Sequence, residues 1–217
     1  MTLYFGDIFP YLPIMLEALW VSIYVTALSF VVGSFLGLFI YLARASRFRA
    51  LRWFGRGYVE VIRNTPLLVQ LYLIYFGLGQ VGINFNPLWS VLIGMSLNNA
   101  AYTAEIFRAG INAVPNGLRE AGRALGMRYD QTFRHVVLMP GIRNVLPALT
   151  NQFIILFLFS SIGSVISLDE LTAVLENLNS QTLRTFEIFT IGALLYFLTS
   201  AAIAYGARAI EKVAFKW

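Results

Sequence analysis

The chain has 217 residues, of which 58% are hydrophobic and 12% are charged, and its formal net charge is +5. Soluble domains usually carry about 25% charged residues, so this composition indicates a protein that is embedded in lipid. The chain has no cysteine, one histidine and no Gly-x-x-x-x-Gly-Lys-Ser/Thr segment, which excludes disulfides and a P-loop and leaves few ligands for a metal. We therefore expect no catalytic residue, metal or cofactor in this chain.

Five apolar stretches are each long enough to cross a bilayer as a helix, which takes about 20 residues. In chain order they cover residues 14–42, 59–78, 88–109, 144–166 and 187–207. The sequence thus predicts an all-α integral membrane protein with one transmembrane domain over residues 1–217. Gly33 and Gly37, four residues apart in the first stretch, would let another helix approach closely.

Basic residues cluster after the first, third and fifth stretches. The other connections carry Arg184 as their one basic residue, beside Asp169, Glu170 and Glu176. Because cytoplasmic loops of membrane proteins collect lysine and arginine, this alternation predicts an outside N-terminus and a cytoplasmic C-terminus. The positive charge is then a matter of topology, and no nucleic-acid partner is expected.

The connection after the third stretch, residues 110–142, is predicted to be a long cytoplasmic loop with helical content. Asn116 could cap a first short helix, and Gly126 could end that helix with a left-handed turn. A second short helix would follow over 129–137, and both helices would lie on the membrane surface. Two interpretations stay open: an interfacial amphipathic helix anchored by arginines, or a docking element for a cytoplasmic protein.

The segment "EAGRALG" at 120–126 resembles the EAA loop of ABC-importer permeases. The pattern of that loop is Glu-Ala-Ala, three residues, Gly, nine residues and Ile-x-Leu-Pro. Glu120, Ala121 and Gly126 match it, and Gly122 replaces the second alanine. Pro140 comes one residue late, which predicts a helix break displaced by one residue.

Three further segments are similar to the polar amino-acid subfamily of these permeases. They are "VIRNTPLLVQLYLIYFGL" at 61–78, "AAYTAEIFRAGINAVPNGLREAGRALGM" at 100–127 and "RNVLPALTNQFI" at 143–154. The resemblance implies the type I importer fold in a bacterial inner membrane. It also implies a second permease, identical or homologous, a homodimeric ATPase that binds ATP and magnesium, and an extracytoplasmic substrate-binding protein that delivers a polar amino acid.

In the resembling family, the first short helix of this loop binds a groove of the ATPase. Nucleotide binding then switches the spanning helices between inward-open and outward-open states. The residues that the resemblance assigns to ATPase coupling are Leu118, Arg119, Glu120, Ala121, Gly122, Arg123, Ala124, Leu125, Gly126 and Arg128.

Polar residues within the third stretch are candidates for the substrate path, because ionisable groups in a membrane are costly. Asn98, Tyr102 and Glu105 share one helical face, flanked by Asn99 and Thr103. Glu105 could bind the ammonium group of an amino acid. Asn98, Asn99 and Thr103 could donate hydrogen bonds to its carboxylate. Alternatively, the asparagines join neighbouring helices, and Glu105 pairs with an arginine such as Arg108.

The second and fourth stretches add uncharged candidates to this path. Gln70 lies four residues after Pro66, which should kink or start the buried part of its helix. Related permeases often have acids where this chain has Gln152 and "FSSI" at 159–162, which leaves Ser160, Ser161 and Ser164 as donors. The substrate would then be neutral or acidic, or this subunit would not bind it; backbone-bonded serines are the alternative.

Two other classes of function compete with a permease subunit. An ion-coupled carrier or channel would act without an ATPase, but no inverted repeat is evident. An intramembrane enzyme is disfavoured because His135, the one histidine, falls in the cytoplasmic loop and no paired membrane acids are available.

Overall fold

The computed structural model describes residues 4–214, and every regular element in that range is helical. The α-helices are α1 (Leu12–Ala45), α2 (Arg49–Arg63), α3 (Leu67–Tyr72), α4 (Leu78–Gln80), α5 (Pro87–Asn112), α6 (Asn116–Ala124), α7 (Tyr129–Thr132), α8 (Leu138–Phe159), α9 (Leu171–Thr182) and α10 (Thr185–Ala214). Two π-helical turns, Leu73–Gly77 and Phe133–Val137, join α3 to α4 and α7 to α8, and a 3₁₀ segment, Ser160–Ile166, follows α8. The predicted all-α class is confirmed.

Three continuous helical stretches are long and apolar enough to cross a membrane: Phe5–Ala45, Tyr129–Ile166 and Thr185–Val213. The pair Arg49–Arg63 and Leu67–Gln80 would make a fourth as one broken span. Helix α5 carries the predicted third span, but it is rich in buried polar residues because it lies in the centre of the bundle. The five-span count and the orientation of the termini stay predictions.

Helices α1 and α5 form the closest contact of the bundle. A Cβ built on Gly33 would lie 2.7 Å from the carbonyl oxygen of Ser96, and one on Gly37 would lie 2.0 Å from Oγ1 of Thr103. Distances this short leave no room for a side chain at either glycine. The predicted close approach at this glycine pair is therefore confirmed, and its partner is α5.

The predicted second span of 59–78 is wrong in its first third. The chain breaks at 64–66, and the axes of the two flanking segments differ by 104°. Pro66 has an extended backbone and directly precedes α3. Because proline disfavours the helical conformation in the residue before it, α2 cannot continue through this position. Residues 59–63 thus belong to α2, and the proline starts the buried part as predicted.

The predicted cytoplasmic loop of 110–142 is shorter than expected. Helix α5 extends to Asn112, and the chain is helical without interruption from Tyr129 to Ile166. The predicted second surface helix is thus the first part of the long helix that contains α8. The predicted break near Pro140 is also wrong, since the π-turn before it widens the helix where the proline ring would meet the preceding turn.

An additional helix, α9, occupies the connection between the long helix and α10. Glu170 caps it by accepting a bond of 2.9 Å from the Ala173 amide. This carboxylate, expected in an external loop, is fully buried and also accepts bonds from the Ser22 and Tyr196 hydroxyls. Glu170 therefore ties α9 to α1 and α10 at the end of the bundle opposite α6.

Burial raises the pKa of Glu170 above its usual value of 4.5, although its hydrogen bonds oppose the shift. A carboxyl with a raised pKa in the folded state binds its proton more tightly there, so its contribution to stability is present below 4.5 and is lost as the pH rises through the folded-state pKa. We expect the melting temperature of the purified protein to fall as the pH rises from 4.5 through the folded-state pKa of Glu170.

The variant Glu170→Gln should show a flatter pH dependence of the melting temperature, because its side chain does not titrate. The exposed Glu176 on α9 provides the matched control, Glu176→Gln, which should follow the wild type. Equal slopes for all three proteins would contradict the assignment of the pH dependence to Glu170.

Candidate functional site

Helix α6 is a short exposed helix that lies outside the bundle. It begins after Pro115, whose extended backbone takes the cap position, so the predicted cap at Asn116 is wrong. Asn116 is already helical, because proline's φ suits the residue before the first turn and the cap moves back by one. Leu118 is 38% exposed, and Leu125, just after the helix, is 76% exposed.

The two faces of α6 have different surroundings. Gly122 faces inward, where an added Cβ would lie 2.7 Å from Cγ2 of Thr132, and Arg119 donates a bond of 3.0 Å to the Ile111 carbonyl. The outward residues are small or charged and are exposed: Gly117, Glu120, Ala121, Arg123 and Ala124. The outward surface of α6 thus consists of small and charged side chains, and Gly122 is not part of it.

A glycine ends this helix as predicted. Gly126 has φ +77°, which is the left-handed region, and the Met127 amide donates to the Gly122 carbonyl at 3.1 Å. This turn directs the chain into the long helix, whose first residues, Arg128 and Tyr129, are exposed. Residues 116–128, which we call the coupling segment because they include the positions predicted to couple to an ATPase, therefore form a helix and a turn fixed against the bundle, and the coupling role itself stays a prediction.

A cavity of about 630 Å³ opens between α2, α5 and α8 near the end that carries the coupling segment. Of the predicted path residues, it brings together Tyr102, Glu105 and Gln152. Its other polar lining residues were not predicted: Arg63, Arg108, Asn144 and Asn151. Arg63 lies over the Tyr102 ring at 5.3 Å from the ring centre, which is a cation–π contact.

Glu105 is held by two guanidinium groups. One of its oxygens bonds Arg44 at the end of α1, and the other accepts bonds of 2.8 and 2.7 Å from Arg108. The pairing with Arg108 is the structural alternative stated above, and Arg44 was not anticipated. In this conformation two guanidinium groups already balance the negative charge of the carboxylate, and its assignment as an ammonium ligand stays a prediction.

The other candidates on α5 lie in the interior and not at the cavity. Asn99 donates to the Phe30 carbonyl on α1 and accepts a bond of 3.2 Å from Gln152 on α8. Thr103 donates to the carbonyl of Asn99 one turn back. The bonds of Asn99 join α5 to α1 and α8, which is the helix-joining alternative, whereas the bond of Thr103 lies within α5. The assignment of both residues to the path stays a prediction.

Gln70 connects the break before α3 to α5. Its amide nitrogen donates to the Ile62 carbonyl and to the Thr65 hydroxyl, both at 2.9 Å, and its oxygen accepts from Asn98 at 3.2 Å. Oδ1 of Asn98 is buried and has no hydrogen-bond partner among residues 4–214. That oxygen is an acceptor that a ligand donor could use, since buried polar atoms are rarely left unbonded.

Two of the serines after α8 bond the helix backbone, which is the alternative stated for them. Ser160 donates to the Phe157 carbonyl at 2.7 Å and Ser161 to the Leu158 carbonyl at 2.8 Å. Neither these two nor Ser164 lines the cavity. Their place in a substrate path stays a prediction.

Comparison with known proteins places the whole chain in one family. Residues 29–213 match the family described as "Binding-protein-dependent transport system inner membrane component". The chain is 34% identical over 213 residues to the arginine transport system permease protein ArtQ of Bacillus subtilis (strain 168), covering 98% of this chain and 97% of that protein. It is 36% identical over 201 residues to the L-cystine transport system permease protein TcyB of the same organism, covering 92% and 86%.

A solved structure agrees with these sequence relatives. A chain from the crystal structure of an amino acid ABC transporter with histidines superposes with a TM-score of 0.93 at 39% identity, covering 98% of this chain and 99% of that one. Permeases of this kind have no ATPase of their own, and a partner subunit hydrolyses ATP. The chain therefore belongs to the family of binding-protein-dependent transport system inner membrane components and is a permease subunit of an ABC importer.

Proposed function

We propose that this permease carries polar amino acids into the cell and couples their passage to ATP hydrolysis through α6. The names of its relatives support the substrate class, because ArtQ and TcyB are permeases for arginine and for L-cystine. The exposed, preformed coupling segment is the observation that carries the proposal, since an ATPase must contact this subunit to drive it.

The outward face of α6 fits a groove on a partner. Ala121 and Ala124 bring the helix backbone close to any surface that covers them, and Glu120 and Arg123 supply charges at its edge. We propose that a homodimeric ATPase holding ATP and magnesium covers this face. Its closure would displace α6 and shift the bundle between its two states.

Two further partners complete the proposed importer. Large apolar side chains are exposed along the spanning helices, among them Trp20, Phe35 and Phe197. Part of this surface would face lipid and part a second permease, identical or homologous. The amino acid would arrive from an extracytoplasmic binding protein at the end of the bundle that contains α9.

Site-directed cross-linking tests this proposal, and the absence of native cysteine makes it specific. Single cysteines at Leu118 and Ala124 should each cross-link to an ATPase that purifies with the chain. A cysteine at the exposed Ser180 on α9 is the control and should give no ATPase product. Failure of both α6 cysteines to cross-link, in a complex that contains the ATPase, would refute the assigned contact.

A further inference from the structure

The cavity between α2, α5 and α8 has an excess of positive charge. Its charged lining residues are Arg63, Glu105 and Arg108, and Arg44 lies directly behind Glu105. Three arginines and one carboxylate therefore lie in or directly behind the lining. The cluster of Arg44, Glu105 and Arg108 keeps a net positive charge even when both of its ion pairs are formed.

Arg63 is the group of this cavity that has no counter-ion. Among residues 4–214 no carboxylate forms an ion pair with it, and its guanidinium lies over the Tyr102 ring. A guanidinium on an aromatic face keeps its N–H edge available, and that edge matches the two oxygens of a carboxylate. Arg63 therefore presents donors to the cavity without first having to break a salt bridge.

The uncharged lining residues also suit a polar ligand. Asn151 on α8 is exposed to the cavity and has no hydrogen bond within the described residues, so its amide can donate or accept. The nitrogen of Asn144 is used by the Gly110 carbonyl at 3.3 Å, which leaves its oxygen. The lining thus offers one cationic donor on α2 and two amide groups on α8, so their separation is set by how these two helices pack.

The charges of this cavity disfavour a ligand with a cationic side chain. Both oxygens of Glu105 already bond guanidinium groups, so an ammonium or guanidinium ligand would meet a carboxylate whose charge two arginines more than neutralise. It would also approach Arg63 and Arg108 in a partly enclosed space, where like charges repel more strongly than in water. Among residues 4–214, Glu105 is the one acid that lines the cavity, and position 152 is glutamine.

We propose that this cavity binds the carboxylate of an amino acid through Arg63 and selects neutral and acidic side chains against cationic ones. The inference rests on the proposed function and specifies its substrate class. The relative named for arginine does not predict this preference, which follows from the charges that line this cavity.

Direct binding to the permease–ATPase complex in nanodiscs, without nucleotide and without the binding protein, tests the proposal. The probes are radiolabelled L-glutamate, L-glutamine and L-arginine at one ionic strength. We expect glutamate or glutamine to bind roughly tenfold or more tightly than arginine, which is the factor expected from one well-placed charged contact.

Variants of the lining identify the residue responsible. Arg63→Met should lower the affinity for the favoured amino acid by roughly tenfold or more, and Arg63→Lys should keep part of that affinity. Arg56→Met removes an exposed arginine of the same helix that does not line the cavity, and it should bind like the wild type. Asn151→Asp, which changes little volume, should weaken the binding of glutamate more than that of glutamine, because the new carboxylate repels an acidic side chain.

Two results would overturn the inference alone, and a third would overturn the proposed function as well. Equal or tighter binding of arginine by the wild type refutes the selection, and unchanged affinity in both Arg63→Met and Asn151→Asp refutes the site. Either result leaves the proposed importer standing, provided that the complex still transports an amino acid. A complex that neither binds nor transports any of the three would refute the proposed amino-acid function together with the inference.

Discussion

Replacing Gly37 with alanine will lower the stability of the purified protein by about 1–3 kcal/mol, the usual effect of forcing atoms into a well-packed core. The new methyl group would lie 2.0 Å from Oγ1 of Thr103 and 2.9 Å from the carbonyl oxygen of Ala100. The second of these atoms belongs to the backbone of α5, so rotation of a side chain cannot relieve the contact. Thermal unfolding followed by size-exclusion chromatography in detergent measures the effect.

The control for this variant is Gly206→Ala on α10, where no atom lies within 4 Å of an added Cβ. This change should leave the melting temperature unaltered or raise it, because alanine favours a helix by about 1 kcal/mol over glycine. Combining Gly37→Ala with Thr103→Ala should recover part of the loss and not all of it, since the Ala100 carbonyl remains. Equal melting temperatures for Gly37→Ala and the wild type would contradict the packing.

Reversing the charge of Glu120 will reduce ATP-driven uptake in proteoliposomes while the fold is retained. Glu120 is exposed on the outward face of α6, so Glu120→Lys changes the docking surface and leaves the core untouched. Coupling free energies between two sites are typically about 1–3 kcal/mol, so uptake should fall by about 5–150-fold. Substrate-stimulated ATP hydrolysis should fall with it, and both rates are measured on the same vesicles.

The exposed Glu176 on α9 offers the matched control, because Glu176→Lys makes the same charge change at the other end of the bundle. It should keep uptake within the range of the wild type. Unimpaired uptake by Glu120→Lys, at equal protein content of the vesicles, would show that this part of α6 does not transmit the effect of ATP.

The elements that could be predicted depend on local patterns. Apolar length fixes where a helix can run, and Gly126 ends α6 because a left-handed turn favours glycine whatever surrounds it. The small-residue spacing at Gly33 and Gly37 likewise indicated a close helix contact, although only the fold identifies α5 as the partner. Such features need no knowledge of distant segments.

The features that could not be predicted depend on contacts distant in sequence. Arg44 and Glu105 are 61 residues apart, and Ser22 and Glu170 are 148 apart. A charged residue in a connection looks exposed until the fold buries it, as it does Glu170. The proline in "RNTP" gave a signal for a change of direction at 64–66, but its size of 104° depends on how α2 packs against α1 and α5.

The uninterrupted helix from Tyr129 to Ile166 has a mechanical consequence. Its 38 residues form a rod about 57 Å long at about 1.5 Å of rise per residue. The turn at Gly126 attaches α6 to one end of this rod, and Gln152 and Asn151 lie partway along it. A tilt of about 5° at the base would move the far end by about 5 Å at that length. If the helix moves as one body, a small displacement of its base becomes a much larger shift at its far end.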